Sequence, residues 1–374
     1  MEEPTTLPPI LPHTEAKHDI LRYHMGAWFP ILGRSSSGTL QYVDGFAGPG
    51  EYAGGEHGSP IIALETISRH PYNDDFQRAQ RRFAFLFVER VEESVNQLRP
   101  RVNSQSWPVG FEIDIVHGEF ESVMSAMLNE VDAGARSMYP TLLFIDPFGS
   151  AGFSMNLLRR LARFQRIDIL INFNYLDLNR WILSDPTKHI TLHGLYGNDR
   201  WEPALQLEGD DRKELLIREY GAALRQAGWR STNFEMINNH NQTQYYLFFA
   251  TRASRGLQVI KQAMRSVSPD GLIRYADRSD PTQLRFIDMG MDVAYAEELS
   301  EHLFHRYHGS AVTKESIIDD DIAWHPRWID KDPTAALRLL ESSSPPRITS
   351  VHNPDGRPRR RTFYPSGCII TFAP

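Results

Sequence analysis

The feature that most constrains this chain is a regular alternation between short apolar runs and segments with helical spacing. The apolar runs predict seven strands, at 40–44, 83–89, 111–116, 141–146, 167–173, 244–250 and 283–288. Between them, helices are predicted at 59–68, 91–98, 120–131, 154–164, 211–226 and 253–264. Continuous apolar runs are typical of strands covered on both faces. The alternation therefore predicts an α/β domain with a mostly parallel, Rossmann-like sheet, its last two strands pairing antiparallel.

The segments outside this alternation divide the chain into further parts. Residues 1–38 read as a proline-rich arm and a helix, 13–29, that packs on the core. The sheet domain is expected to span 39–300, with an insertion near 174–210. Trp181 and Trp201 in this insertion could stack on bases, but such residues are more often anchors of a core or an interface. Residues 311–374 are predicted to form a winged-helix-like module with a helix at 333–341 and a hairpin turn at 353–356. Its second strand would begin with a basic cluster of Arg357, Arg359, Arg360 and Arg361. These arginines are suited to contact nucleic-acid phosphates, or they could simply be the solvated residues of a hairpin.

Composition excludes several classes of protein. The chain has 40 Lys and Arg against 47 Asp and Glu, a net charge of −7, so it is no globally basic binder. A local basic patch would still be sufficient to bind nucleic acid. The single Cys368 excludes a disulfide framework and a cysteine metal cluster, and we expect no metal site at all. No signal peptide and no long apolar stretch is evident, so the expected location is the cytoplasm, away from membranes.

A glycine-rich loop follows the first predicted strand. The strand ends in Asp44, and the loop continues through Gly45, Phe46, Gly48 and Gly50 to a helix start at Ser59. Glycines permit a sharp turn and close approach of a ligand to the backbone. Glu89 ends the second strand, where a carboxylate suits ribose hydroxyls, and His117-Gly118 follows the third, where a cofactor base would lie. Each feature also has a purely structural interpretation. The glycine loop could be a tight surface turn, Glu89 an ordinary solvated carboxylate that opens a helix, and His117-Gly118 a plain turn.

A second motif ends the fourth strand, and it reads Asp146-Pro147-Phe148-Gly149. Proline keeps the preceding residue extended, so the carboxylate and nearby carbonyls can accept hydrogens from an amine. Phe148 could stack on a planar base. The hydrogen-bond acceptors and the aromatic ring together would orient an amine for the transfer of a methyl group to its nitrogen. A phosphate-binding Gly-Lys-Ser/Thr loop is absent, and a nicotinamide enzyme would not explain this motif. S-adenosylmethionine fits best, although the motif could also be a turn with a buried phenylalanine.

Most of the chain resembles the three-Cys-motif partner (TcmP) family, bacterial proteins with a methyltransferase-like core. The matching stretches are His13-Thr14-x-x-Lys17-His18, Val43 to Tyr52, Gly58-Ser59-Pro60 and Ile145 to Gly149. Four short motifs recur in order. This resemblance implies a three-Cys-motif protein as a possible partner.

Residues 13–150 are also similar to RlmJ-type ribosomal RNA adenine-N6 methyltransferases. The resemblance implies that His18, the glycine loop, Ser59 and Glu89 contact the cofactor. Three positions depart from that family's pattern: Phe46 stands for a histidine, His117-Gly118 for Asp-Gly, and the fourth-strand motif for Asp-Pro-Pro-Tyr. Asp-Pro-Phe-Gly is instead similar to the motif of tRNA guanine-N2 dimethyltransferases. Both likenesses imply an exocyclic amine of a nucleobase as the acceptor.

The expected function is therefore S-adenosylmethionine-dependent N-methylation of a nucleobase, in RNA slightly ahead of DNA. Asp146, Pro147 and Phe148 would position the amine. Two alternatives remain open at this point. One is a non-catalytic partner or adaptor protein that keeps the fold, and the other is methylation of a protein or a small molecule.

Overall fold

The computed structural model describes residues 7–35, 38–149, 152–268, 274–277, 284–322, 328, 332–355 and 362–374. Within these, side chains are not described for 34–35 and 284–294. The chain divides into two compact units. The first comprises Met1–Gly256 and Tyr275–Arg278, and the second comprises Leu257–Arg274 and Ser279–Pro374.

The first unit is built on one large sheet. Its strands are β1 Thr39–Asp44, β2 Arg82–Glu89, β3 Phe111–His117, β4 Thr141–Ile145, β5 Ile167–Phe173, β6 Arg230–Ile237, β7 Thr243–Thr251 and the short β8 Arg274–Ala276. Their spatial order is β3-β2-β1-β4-β5-β7-β6-β8. Strands β1 to β5 are parallel, and β7 is antiparallel to both β5 and β6. This arrangement confirms the predicted Rossmann-like, mostly parallel sheet with antiparallel strands at one end.

Helices connect these strands. They are α1 Pro12–Ser35, α2 Ser59–Ser68, α3 Asn73–Arg78, α4 Glu92–Asn103, α5 Phe120–Asp132, α6 Met155–Leu161, α7 Tyr175–Ser184, α8 His189–Tyr196, α9 Gly209–Gln226 and α10 Ser254–Val267, which continues into the second unit. Strands β4 and β5 are buried along their whole length, as expected for continuous apolar runs covered on both faces. The chain reverses its direction of sheet growth between β1 and β4, and ligands of open α/β sheets bind beside such a point.

The sequence expectation for the seventh strand of this sheet is wrong. Residues 284–288, expected within a seventh strand, form the start of a helix. The seventh strand is instead β6, whose polar residues alternate with the buried Thr232, Phe234 and Met236. A half-polar strand is a weak sequence signal, whereas a short apolar run fits helix and strand alike.

The expected insertion at 174–210 contains α7, α8 and two short 3₁₀ turns. Trp201 is fully buried against the ring of Tyr196, and both belong to the same hydrophobic core as Phe173 of β5. Of the two interpretations of Trp201, the structure supports a core residue and not a base-stacking surface, because its ring is buried in the hydrophobic core.

The second unit contains a small antiparallel sheet and three further helices. These elements are α11 Leu284–Tyr307, β9 Ala311–Thr313, α12 Lys314–Ile317, α13 Asp332–Ser342, β10 Ile348–His352 and β11 Ile369–Phe372, with a π-helical turn at Ile318–Ile322. The strand order is β10-β11-β9. Leu299 and Leu303 of α11 belong to this unit's core, which explains why its boundary precedes the expected one near residue 300.

The hairpin turn expected at 353–356 directly follows β10, and the strand expected after it would begin at residue 357, which lies outside the described residues. Strand β10 ends at His352, but its antiparallel partner is β11, which begins at Ile369. The arginines Arg357, Arg359, Arg360 and Arg361 lie outside the described residues. Of the helices that the structure describes, none is both long enough and apolar enough to cross a membrane.

Candidate cofactor and active site

A cavity of about 350 Å³ lies at the carboxyl ends of β1 and β4. The glycine loop contributes one wall through Phe46, Gly48, Gly50 and Tyr52, together with Ser59 at the start of α2. The other wall is formed by Asp146, Pro147, Phe148 and Gly149. The structure thus brings together the two motifs that the sequence placed at neighbouring strand ends.

The glycine loop is shaped by backbone conformations that only glycine adopts readily. Gly48 and Gly50 have φ values of +60° and +81°. A Cβ atom on Gly50 would lie 2.7 Å from Cδ1 of Leu98, so a side chain would also collide with α4. Both glycines line the cavity, where their lack of a side chain lets a ligand approach the backbone closely.

Asp44 supports the loop from behind. Its buried carboxylate accepts hydrogen bonds from the Phe46 amide at 3.2 Å, from the Tyr42 hydroxyl at 3.3 Å and from Ser59. Burial raises the pKa of Asp44 to about 7, although these hydrogen bonds oppose the shift. Asp44 and Gly45 do not belong to the cavity wall, but they position Phe46 and Ser59, which do.

Glu89 holds the far side of the loop. Its Oε2 accepts the Gly48 amide at 2.7 Å, and its Oε1 accepts the Val91 amide at 2.7 Å. The side chain is buried and does not line the cavity. Its direct contact with a ribose stays a prediction, and in the structure it fixes the loop to the end of β2.

His117 and Gly118 lie next to Glu89 but outside the cavity wall. The Gly118 amide donates to the Glu89 carbonyl at 2.9 Å, and Nε2 of His117 lies 2.9 Å from the carbonyl of Arg90. The exposed His117 is therefore at the end of β3, beyond the glycine loop. Its contact with a cofactor base also stays a prediction.

The carboxylate of Asp146 is held by two side chains from distant parts of the chain. Nζ of Lys17 donates to Oδ2 at 2.5 Å, and Nδ2 of Asn172 donates to Oδ1 at 2.5 Å. Lys17 is only 5% exposed, and its ammonium lies 5.3 Å from the centre of the Tyr245 ring. A buried ammonium paired in this way fixes the direction of the carboxylate, which remains partly open to the cavity.

Phe148 has the opposite environment. Its side chain is 84% exposed at the cavity opening, so the alternative of a strand-ending turn with a buried phenylalanine is wrong. Gly149 follows with φ +83°, and a Cβ there would be 3.5 Å from the ring of Trp181. An exposed aromatic ring beside a cavity is a surface on which a planar group can stack.

His18 lies behind the cavity wall. Burial, with a smaller contribution from the Lys17 charge, lowers the pKa of His18 to about 3. Its Nδ1 has no hydrogen-bond partner among the described residues, and its ring is 5.7 Å from that of Tyr52, which lines the cavity. Direct contact between His18 and a cofactor stays a prediction.

Several residues of the site were not identified from the sequence. From the sequence, Lys17 has no role beyond its place in the matched stretch His13 to His18, and Asn172 lies inside a predicted strand. The available signal for Asn172 was a polar residue interrupting an otherwise apolar run. Among the described residues, no group of three or more His, Cys, Asp or Glu is placed to hold a metal ion.

No family model matches the sequence, and no curated protein matches it. Solved structures do show similarity. The chain is similar to Trm1 from Pyrococcus horikoshii, solved with S-adenosyl-L-methionine, at 12% identity and a TM-score of 0.34 over 67% of this chain and 62% of that one. It therefore spans less than two thirds of that relative. It is also similar to a DUF519-family protein from Legionella pneumophila, at 10% identity and a TM-score of 0.34 over 63% of this chain and 85% of that one.

Proposed function

We propose that the protein is an S-adenosylmethionine-dependent N-methyltransferase that acts on an exocyclic amine of a nucleobase, in RNA in preference to DNA. The observation that carries this proposal is the shared cavity. The glycine loop and the Asp146-Pro147-Phe148 turn line the same space, so a donor on one side would face an acceptor on the other. Such placement lowers the entropic barrier of a two-substrate transfer.

The residues of the cavity fit the proposed cofactor. Phe46, Gly48, Gly50 and Ser59 would hold it. The buried Oδ1 of Asn172 has no hydrogen-bond partner among the described residues and would be available to a donor group of the cofactor. Glu89 accepts one backbone amide on each oxygen, and a carboxylate oxygen can accept a second hydrogen bond. When bound, S-adenosylmethionine supplies an electrophilic methyl group.

Asp146 would orient the acceptor. Its carboxylate, held by Lys17 and Asn172, would accept a hydrogen bond from the exocyclic amine and stabilise the positive charge that develops on nitrogen. Phe148 would stack on the base, and a base within a duplex would first have to be flipped out. The second unit, which we propose to be a winged-helix module, would help to dock the polynucleotide.

A second candidate function is that of a non-catalytic partner that keeps the fold. The observation that favours it is the internal pairing of both acidic groups. Asp146 is bonded through both oxygens to side chains of the protein, and Glu89 through both oxygens to backbone amides. Such satisfied carboxylates are stable without any ligand.

Calorimetry and a transfer assay separate the two candidates. We expect the protein to bind S-adenosylmethionine and its demethylated product, and to transfer labelled methyl groups to total RNA. Asp146→Asn should retain binding but lose at least tenfold in transfer, because the acceptor for the amine loses its charge. The matched control is Asp19→Asn, which changes an exposed carboxylate on α1. Absence of cofactor binding would refute the enzyme, and binding without transfer to RNA, DNA or protein would favour the partner protein.

A further inference from the structure

The edge of the sheet opposite the cavity carries a cluster of arginines. Three sequence segments meet there, 156–168, 224–233 and 251–258. Together they contain eight arginines and no lysine, and their one acid is the buried Asp168. This density of one charge stands out in a chain whose net charge is −7.

Hydrogen bonds show that the three segments are adjacent. The indole Nε1 of Trp229 donates to the carbonyl of Leu158 at 3.0 Å. Nη1 of Arg252 donates to the carbonyl of Ala162 at 2.6 Å. In the sheet, Arg230 at the start of β6 is paired with Thr251 at the end of β7.

The position of this surface follows from the strand directions. Arg166 immediately precedes β5, and Arg252 immediately follows the antiparallel β7, so both lie at the amino-terminal edge of the parallel strands. Strand β5 has seven residues, which corresponds to about 23 Å between its two ends. The arginines are therefore well separated from Asp146 and cannot belong to the cavity.

The cations remain accessible even where they have a partner. Arg163 pairs with Asp132 yet keeps a side-chain exposure of 53%. Arg166, Arg225 and Arg255 are exposed as well. We refer to Arg163, Arg166, Arg225, Arg252 and Arg255 as the arginine edge.

The chemistry of the arginine edge favours one kind of partner. Guanidinium groups donate paired hydrogen bonds that match phosphate oxygens, and several adjacent cations suit a polyanion better than a single ion. A membrane surface would favour apolar or aromatic side chains among the cations. None of the large hydrophobic residues exposed in the described part of the chain lies in the three segments.

We propose that the arginine edge binds the phosphate backbone of a structured RNA, as a docking surface separate from the cavity. The choice of RNA rests on the proposed function, but the contact itself requires no cofactor. An RNA held there would be contacted through its backbone and not through its base sequence. The surface would thus supply affinity, while the cavity would select the base.

The test is fluorescence anisotropy of the full chain with a labelled 30-nucleotide RNA hairpin at several salt concentrations. We expect Arg166→Gln/Arg225→Gln to weaken binding at least fivefold and to reduce the slope of log Kd against log salt by about 1 to 2. The matched control is Arg69→Gln/Arg78→Gln, which removes the same charge from exposed arginines of the first unit outside the three segments. The control should bind as the wild type does.

Three results would overturn the proposal. One is an unchanged Kd and salt slope in Arg166→Gln/Arg225→Gln, and another is an equal loss in both double variants. The third is an unchanged affinity for the hairpin combined with weaker binding to phosphatidylserine vesicles, which would assign the surface to a membrane. Calorimetry with S-adenosylmethionine keeps the two proposals distinct. If Arg166→Gln/Arg225→Gln weakens RNA binding although the protein binds no S-adenosylmethionine, the arginine edge is supported and the proposed activity is refuted.

Discussion

Replacing His24 with phenylalanine should remove part of the acid sensitivity of the first unit. His24 is 1% exposed, and its ring lies 4.8 Å edge-on from that of Phe249. Neither ring nitrogen has a hydrogen-bond partner among the described residues. Burial lowers the pKa of His24 from 6.5 to about 3, so the folded protein keeps this imidazole neutral where the unfolded chain protonates it.

The sign and size of the effect follow from this difference. Below pH 6.5 the unfolded state binds a proton that the folded state does not, and stability is therefore lost as the pH falls. With these two pKa values, His24 costs about 2 kcal/mol of unfolding free energy at pH 5.0 and almost none at pH 7.5. A phenylalanine of similar shape cannot take up that proton.

Urea unfolding at pH 7.5 and at pH 5.0, followed by tryptophan fluorescence, measures this difference. Trp28, one turn further along α1, is a nearby reporter. We expect the wild type to lose about 2 kcal/mol more than His24→Phe between the two pH values. His240→Gln, which changes an exposed ring, should leave the wild-type pH dependence intact. Equal losses in the wild type and in His24→Phe would refute the reasoning, because His24 would then take up no proton on unfolding.

Three further substitutions test the loop, a buried acid and a helix cap. Gly50→Ala should cost about 1–3 kcal/mol of unfolding free energy, because the position has a positive φ and the new Cβ would collide with Leu98. Gly55→Ala is the matched control, since Gly55 has a similar φ of +89° but no atom within 4 Å of an added Cβ. Urea titration should show a larger loss for Gly50→Ala than for Gly55→Ala. Burial raises the pKa of Asp168 to about 6, so the folded state retains a proton that the unfolded state loses above pH 3.8. The unfolding free energy therefore falls as the pH rises from 4 to 6, by about 3 kcal/mol between pH 3 and pH 7. Asp168→Asn should abolish this fall, as measured by urea titration at the two pH values. Ser154→Ala removes the side chain that caps α6 and should lower the melting temperature, in line with about 1 kcal/mol, unless the cap contributes nothing.

The parts of the fold that the sequence predicted correctly are those with a strong local signal. Strands β4 and β5 are buried on both faces, and a continuous apolar run can hardly form anything else between two turns. Strand β6 escaped prediction because its buried residues alternate with polar ones, and its pairing with β7 decides its structure. Tertiary contacts, which no local pattern records, override propensity in such segments.

The same distinction applies to the candidate site. The meeting of the glycine loop with Asp146 followed from a general rule about strand ends in open sheets. The burial of Lys17 could not be predicted in this way, since a lysine on a helix is usually solvated unless a distant carboxylate pairs with it. The Gly48 contact of Glu89 was equally invisible, because the partner of a carboxylate depends on where a flexible loop comes to rest.

The cavity wall also joins residues that are synthesised far apart in time. The hydroxyl of Tyr245 donates to the carbonyl of His13 at 2.8 Å, and Nδ1 of His13 lies 2.8 Å from Oδ2 of Asp277. These contacts span 232 and 264 positions, so forming them requires the closure of long loops, at an entropic cost that slows folding. A ribosome-bound nascent chain halted before residue 244 would thus present the early strands while Gln244 and Tyr245 of the cavity wall are still missing.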